Sequence, residues 1–86
     1  MNDIKRAADE LTAHGLQVVV HSAAKVIVGG TRRAYITDDQ FVFQNSFRIE
    51  PAAAGWLVRR WDAGQSSRDF RVDTLPEAVK ALLKTY

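Results

Sequence analysis

His14, His21 and the adjacent carboxylates Asp38 and Asp39 are the residues of this chain with the widest chemical repertoire. Imidazole and carboxylate groups make acid–base pairs and metal sites, provided they converge on one point. Here they are spread over separate turn segments at no metal-ligand spacing. A pair of aspartates in a hairpin turn also has a local explanation, because Asp side chains bond to their own backbone there. The chain contains no cysteine, which removes thiolate nucleophiles, disulfides and cysteine-based zinc sites. It also has no nucleophile elbow, no HExxH motif and no carboxylates paired at helical spacing. The expectation is a non-enzymatic protein with no cofactor and no metal.

Two further stretches could bind. "VGGTRR", residues 28–33, sets Gly29 and Gly30 before Arg32 and Arg33. Paired glycines can form a backbone nest for a phosphate. The stretch lacks the Lys-Ser/Thr ending and the following helix that make phosphate loops specific, so a tight hairpin turn is the preferred reading. "GWLVRRW", residues 55–61, places Trp56 and Trp61 around Arg59 and Arg60 in a strand-like run. Alternation puts Trp56, Val58 and Arg60 on one face and Leu57, Arg59 and Trp61 on the other. On the following strand Phe70 and Val72 share a face opposite to Asp69, Arg71 and Asp73, and the latter set is the solvent side. Which Trp joins Arg71 depends on the register of the hairpin, which the connecting "DAGQSS" leaves open. In either register one Trp and one arginine of the same strand lie on the face of Arg71.

Trp and Arg are the residue types most enriched in interface hot spots. Trp56, Arg59, Arg60, Trp61 and Arg71 therefore form a candidate surface for another protein. A nucleic-acid reading would add Gly29, Gly30, Arg32, Arg33 and Arg48. The charge balance favours protein: 12 Lys plus Arg stand against 10 Asp plus Glu, a net charge of +2, where a phosphate-binding chain usually shows a larger, clustered excess.

These residues need a scaffold. Eighty-six residues make one domain, spanning 1–86. With 47% hydrophobic and 26% charged residues, the composition is that of a globular protein. A domain so small gains burial from dimerisation. No apolar run is long enough to span a bilayer, and the charged, amphipathic start does not read as a signal peptide. The expected setting is cytoplasmic, without a membrane partner. The arginine- and alanine-rich usage suggests a bacterial or phage origin.

The elements follow from spacing. Asn2 or Asp3 can cap a first helix whose Ile4, Ala7, Ala8 and Leu11 share one face, and Gly15 supplies its left-handed stop. Short strands follow from Leu16 to Asp73, with turns at "HSAA", Gly29–Gly30, Asp38–Asp39 and Asn45–Ser46, and with Pro51 ending one strand. Phe41, Phe43, Phe47 and Ile49 alternate with Val42, Gln44, Arg48 and Glu50, which reads as core in preference to a base-stacking platform. "TLPE" at Thr74–Glu77 is a capping box with Pro76 in the first turn, and Leu75, Val79, Leu82, Leu83 and Tyr86 form the stripe of a last helix. The predicted fold is α+β: an antiparallel meander of five to seven strands, with the N-terminal and C-terminal helices on one face.

Overall fold

The structure, a computed structural model, describes residues 3–61 and 67–86. The elements are α1 (Asp3–Ala13), β1 (Gln17–His21), β2 (Val26–Gly30), β3 (Arg32–Tyr35), β4 (Phe41–Gln44), β5 (Phe47–Ala52), β6 (Gly55–Arg60), β7 (Arg68–Val72) and α2 (Leu75–Leu83). One five-stranded sheet has the order β1-β2-β5-β6-β7, with every pairing antiparallel. Strands β3 and β4 pair with each other in a separate two-stranded sheet. The α+β class and the two flanking helices are as the sequence implies. Among the described residues no helix is long and apolar enough to cross a membrane. Asn2, one of the two proposed caps, and most of the "DAGQSS" connection lie outside the described residues.

Both helices cover the same sheet face. Ala7 and Leu11 of α1 and Leu75, Ala78, Val79 and Leu82 of α2 join Ile27, Phe47, Ile49 and Val58 of the central strands in one buried cluster. Trp56, Phe70 and Val72 pack against its border. Each fully buried large aliphatic or aromatic side chain stabilises the fold by roughly 1.5–3 kcal/mol, so this one layer supplies most of the driving force. Gly15, at φ +89°, closes α1, and Leu16 returns its amide to the Leu11 carbonyl. At α2 the Thr74 hydroxyl accepts from the Glu77 amide at 3.3 Å and donates to the Glu77 carboxylate at 3.2 Å. The box therefore closes through the hydroxyl, where the sequence predicts a bond from the Thr74 amide.

Two expected turns are not turns. Gly29 and Gly30 lie inside β2 and are buried. A Cβ at Gly29 would collide with the Gln17 carbonyl and come within 2.8 Å of the Phe47 ring; one at Gly30 would collide with the Gln44 carbonyl. These glycines serve close approach between strands, a use that looks the same in sequence as a turn. Asn45 and Ser46 likewise do not reverse the chain. Ile27 lies opposite Ile49 in one ladder and Arg32 opposite Gln44 in the next, the same alignment carried through. β2–β3 and β4–β5 are thus the two legs of one long hairpin. It is kinked where Asn45 takes a φ of +48°, a conformation Asn tolerates better than most residues. The Thr31 amide donates to the Gln44 carbonyl at 2.8 Å and the Asn45 side-chain amide to the Thr31 hydroxyl at 3.3 Å, fixing the kink. The true reversal is at 36–40, where the Ile36 amide reaches the Gln40 carbonyl at 2.8 Å.

The kink divides the aromatic run. Phe47 and Ile49 are core, as expected, but Phe41 and Phe43 are not part of the buried cluster. They lie on the outer half of the hairpin in a ladder of their own, Tyr35–Phe41 at 5.5 Å and Phe41–Phe43 at 5.2 Å between ring centroids. Pro51 also differs from expectation, since β5 runs on through it to Ala52. The ladder with β2 has already stopped at Ile49, and Pro51 faces Trp56 of β6 alone, an edge position where a missing donor is tolerated.

Candidate functional site

The β6–β7 register decides which side chains face outward. Arg59 is opposite Asp69, Val58 opposite Phe70 and Trp56 opposite Val72. Trp56, Val58 and Arg60 therefore face the helices, and Leu57 and Arg59 face away. The Trp61 amide bonds to the Ser46 carbonyl at 2.9 Å, one rung beyond the β5–β6 ladder, so Trp61 continues the alternation onto the face of Arg59. Of the two tryptophans, Trp61 is the one that shares a face with Arg71.

Among the described residues no helix packs on this outer face. Its central row crosses all five strands as Val19, Val28, Arg48, Arg59 and Asp69, each directly opposite the next. Beside it runs a second row of Glu50, Leu57 and Arg71. Arg48 opposite Arg59 juxtaposes like charges, which is unfavourable alone. Glu50 resolves it, with carboxylate oxygens 3.4 Å from Arg48 Nε and 3.6 Å from Arg59 Nε, and Asp69 adds a contact at 3.9 Å. Such half-exposed pairs contribute at most about 1 kcal/mol each. Their effect here is electrostatic: the carboxylates offset the like-charge pair, while Arg59 Nε is buried without a hydrogen-bond partner among the described residues. The patch combines the arginines Arg48, Arg59 and Arg71 with the carboxylates Glu50 and Asp69, and Leu57, Val19, Val28 and Trp61 give half-buried apolar surface around it.

Arg60 has a different position from the rest of the predicted set. It is 3% exposed, on the helix-covered side. Its Nε donates to the Thr85 hydroxyl at 3.0 Å, another guanidinium nitrogen donates to the Trp61 carbonyl, and its guanidinium carbon lies 4.0 Å from the Tyr86 ring centroid. Trp56 is likewise on the helix side, opposite Pro51 and Val72 and packed on the core. The outer patch thus gathers Trp61, Arg59, Arg71 and Arg48, and leaves Trp56 and Arg60 behind the sheet.

The other candidates are scattered. Arg32 donates to the Gln44 side chain at 2.5 Å and Arg33 lies 4.8 Å over the Phe41 ring, both on the outer half of the long hairpin. His14 follows α1, His21 ends β1, and Asp38 and Asp39 sit at the hairpin tip, all exposed. Among the described residues no group of three or more His, Asp or Glu is placed to hold a metal ion. Sequence reasoning placed Leu57 with Arg59 and Trp61 but missed the apolar members Val19 and Val28; a β-branched residue on an outward strand face is indistinguishable in sequence from one facing the core. A scan against family models, a search of curated proteins and a search of solved structures each return no match for this chain.

Proposed function

We propose that this protein is a non-enzymatic binding module of the inhibitor, antidote or adaptor type, and that it docks another protein on the outer face of its five-stranded sheet. The supporting observation is a sheet face without a helix whose Arg48 and Arg59 are ion-paired with Glu50 and Asp69. Binding costs side-chain ordering for every mobile group it immobilises, roughly 0.5–1.5 kcal/mol per long side chain, and here part of that ordering is built into the free protein. Trp61 and Leu57 supply an apolar anchor, and Arg71 and Arg59 a charged rim. The expected setting is the cytoplasm of a bacterial or phage-infected cell.

The same residues suit nucleic acid less well, because the carboxylates that hold Arg48 and Arg59 would face a phosphate backbone. The test is capture from a host lysate by the wild-type chain, by Trp61→Ala and by Arg71→Glu, each with and without nuclease. The reading predicts a protein retained by wild type in nuclease-treated lysate and lost by both variants, with the melting temperature of Arg71→Glu unchanged. It fails if the variants retain the same protein equally, or if nuclease abolishes capture.

A further inference from the structure

The outer half of the long hairpin, β3 and β4 with their connecting turn, leaves the five-stranded sheet as an arm. Of the four large hydrophobic residues most exposed among the described residues, three lie on it: Tyr35 at 62%, Ile36 at 67% and Val42 at 52%. A two-stranded ribbon alone is marginally stable in water. Among the described residues β3 and β4 pair only with each other, so both strands have an edge without a ladder. An exposed apolar edge of this kind is a template for another strand, and natural proteins usually blunt it with charge, proline or a bulge. The regular part of β3, Arg32–Tyr35, carries charge at its base only.

The charges say which strand fits. Residues 32–39 read RRAYITDD, and the arm from 31 to 45 has no other charged residue. Its base is doubly positive and its tip doubly negative, so the segment is electrostatically self-complementary when laid antiparallel to itself. We propose that the arm pairs with the arm of a second copy of this chain, edge to edge along β3, about a two-fold axis. An axis near Tyr35, the last residue of β3, lays the base of each arm, with Arg32 and Arg33, alongside the 36–40 turn of the other, which carries Asp38 and Asp39. Two-fold symmetry repeats that charge match at both ends, and sets Tyr35 of each copy beside Tyr35 of the other at the centre. A parallel arrangement would set base against base and tip against tip. A duplex entering from the arm's end would meet Asp38 and Asp39 first. The contact is short, so the association belongs with weak, concentration-dependent interfaces. It uses a part of the chain other than the outer sheet face and stands or falls separately from the docking proposed there.

The test is sedimentation equilibrium of the 9.6 kDa chain over a concentration series reaching about 1 mM, a range that covers weak association. Wild type is expected to rise toward twice the monomer mass. The pair Arg32→Asp with Arg33→Asp, and separately the pair Asp38→Arg with Asp39→Arg, should each remain monomeric throughout. A one-to-one mixture of the two variants should associate again, because an all-acidic arm then meets an all-basic one. Thermal melts followed by far-ultraviolet dichroism confirm that the five-stranded sheet and helices are intact in each variant. The proposal is overturned if wild type stays monomeric across the series, if either variant alone associates as wild type does, or if the mixture does not associate.

Discussion

The Arg60 guanidinium lies 4.0 Å from the centre of the Tyr86 ring, and the Tyr86 hydroxyl donates to the Asn45 carbonyl at the kink of the long hairpin. One buried arginine on β6 thus links the residues after α2 to the point where the arm departs from the sheet. Removing it deletes the cation–π contact and the bonds to the Thr85 hydroxyl and the Trp61 carbonyl. Arg60→Ala is expected to lower stability by about 2–3 kcal/mol in urea unfolding. Arg60→Lys should recover less than half of it, because an ammonium cannot reproduce a planar fork stacked on a ring. A loss under about 0.5 kcal/mol, the scatter typical of surface changes, would mean that the tail is not anchored this way.

The two tryptophans should separate by role. Trp56 packs on the core from the helix-covered face, so Trp56→Ala is expected to cost about 2–3 kcal/mol, below the full value for a wholly buried ring. Trp61, beyond the end of β6 on the outer face, should cost about 1 kcal/mol or less. Equilibrium unfolding of the two variants checks the order. Equal losses would place both rings in the core and remove Trp61 from the outer patch.

Two glycines offer a contrast between space and conformation. At Gly15 a Cβ would meet no atom within 4 Å, but the backbone requires φ +89°; Gly29 has ordinary strand geometry and no room beside Gln17 and Phe47. Gly15→Ala should cost about 1 kcal/mol, the left-handed penalty alone. Gly29→Ala should cost more than about 2 kcal/mol by forcing β1 away from β2 or displacing the Phe47 ring. The reverse ranking in melting experiments would return Gly29 to the role of a turn residue.

What is legible in the sequence is what is local. The Thr74 cap, the helical stripes and the Gly15 stop each depend on residues within one turn of chain, so composition and spacing specify them. The face taken by Trp61 depends on the register set across the connection between Arg60 and Arg68, and side-chain alternation only narrows it to two choices. Gly29–Gly30 and Asn45–Ser46 mislead because glycine and asparagine signal an unusual backbone or a tight approach without saying which. Phe41 and Phe43 mislead for a related reason. Their alternation is identical to that of Phe47 and Ile49, and only the kink at Asn45 takes one pair off the core. Arg60 reads as a surface residue because an arginine is seldom buried, and nothing nearby in sequence announces that Thr85 and Tyr86 fold over it.

The Glu50 carboxylate makes a separable prediction about the outer patch. It stands between Arg48 and Arg59, which are directly opposite each other. Glu50→Gln leaves the shape of the side chain and removes the charge that offsets this repulsion. The expected loss is about 1 kcal/mol at low salt, shrinking as added salt screens the two arginines. Arg48→Gln in the same background should restore most of the loss, because the opposed charge is then gone. A loss in Glu50→Gln that is independent of salt would mean that Glu50 acts through packing and not through charge.

The arm makes the last prediction. The bonds of its amides run across β3–β4, within the 36–40 turn and at the kink, whereas β5 lies between β2 and β6 in the middle of the sheet. Local opening is easiest where few buried apolar contacts must be broken. In dilute solution, hydrogen exchange over 32–44 should therefore be faster than over Phe47–Ala52 and Gly55–Arg60, the strands that carry the core residues Phe47, Ile49 and Val58. Raising the concentration should slow exchange selectively at Arg32–Tyr35, where an incoming β3 would cover the free edge, and leave β5 unchanged. Exchange over 32–44 as slow as in β5 in dilute solution would show that the arm is stabilised without any partner, and protection that rises uniformly across the chain would show association through some surface other than β3.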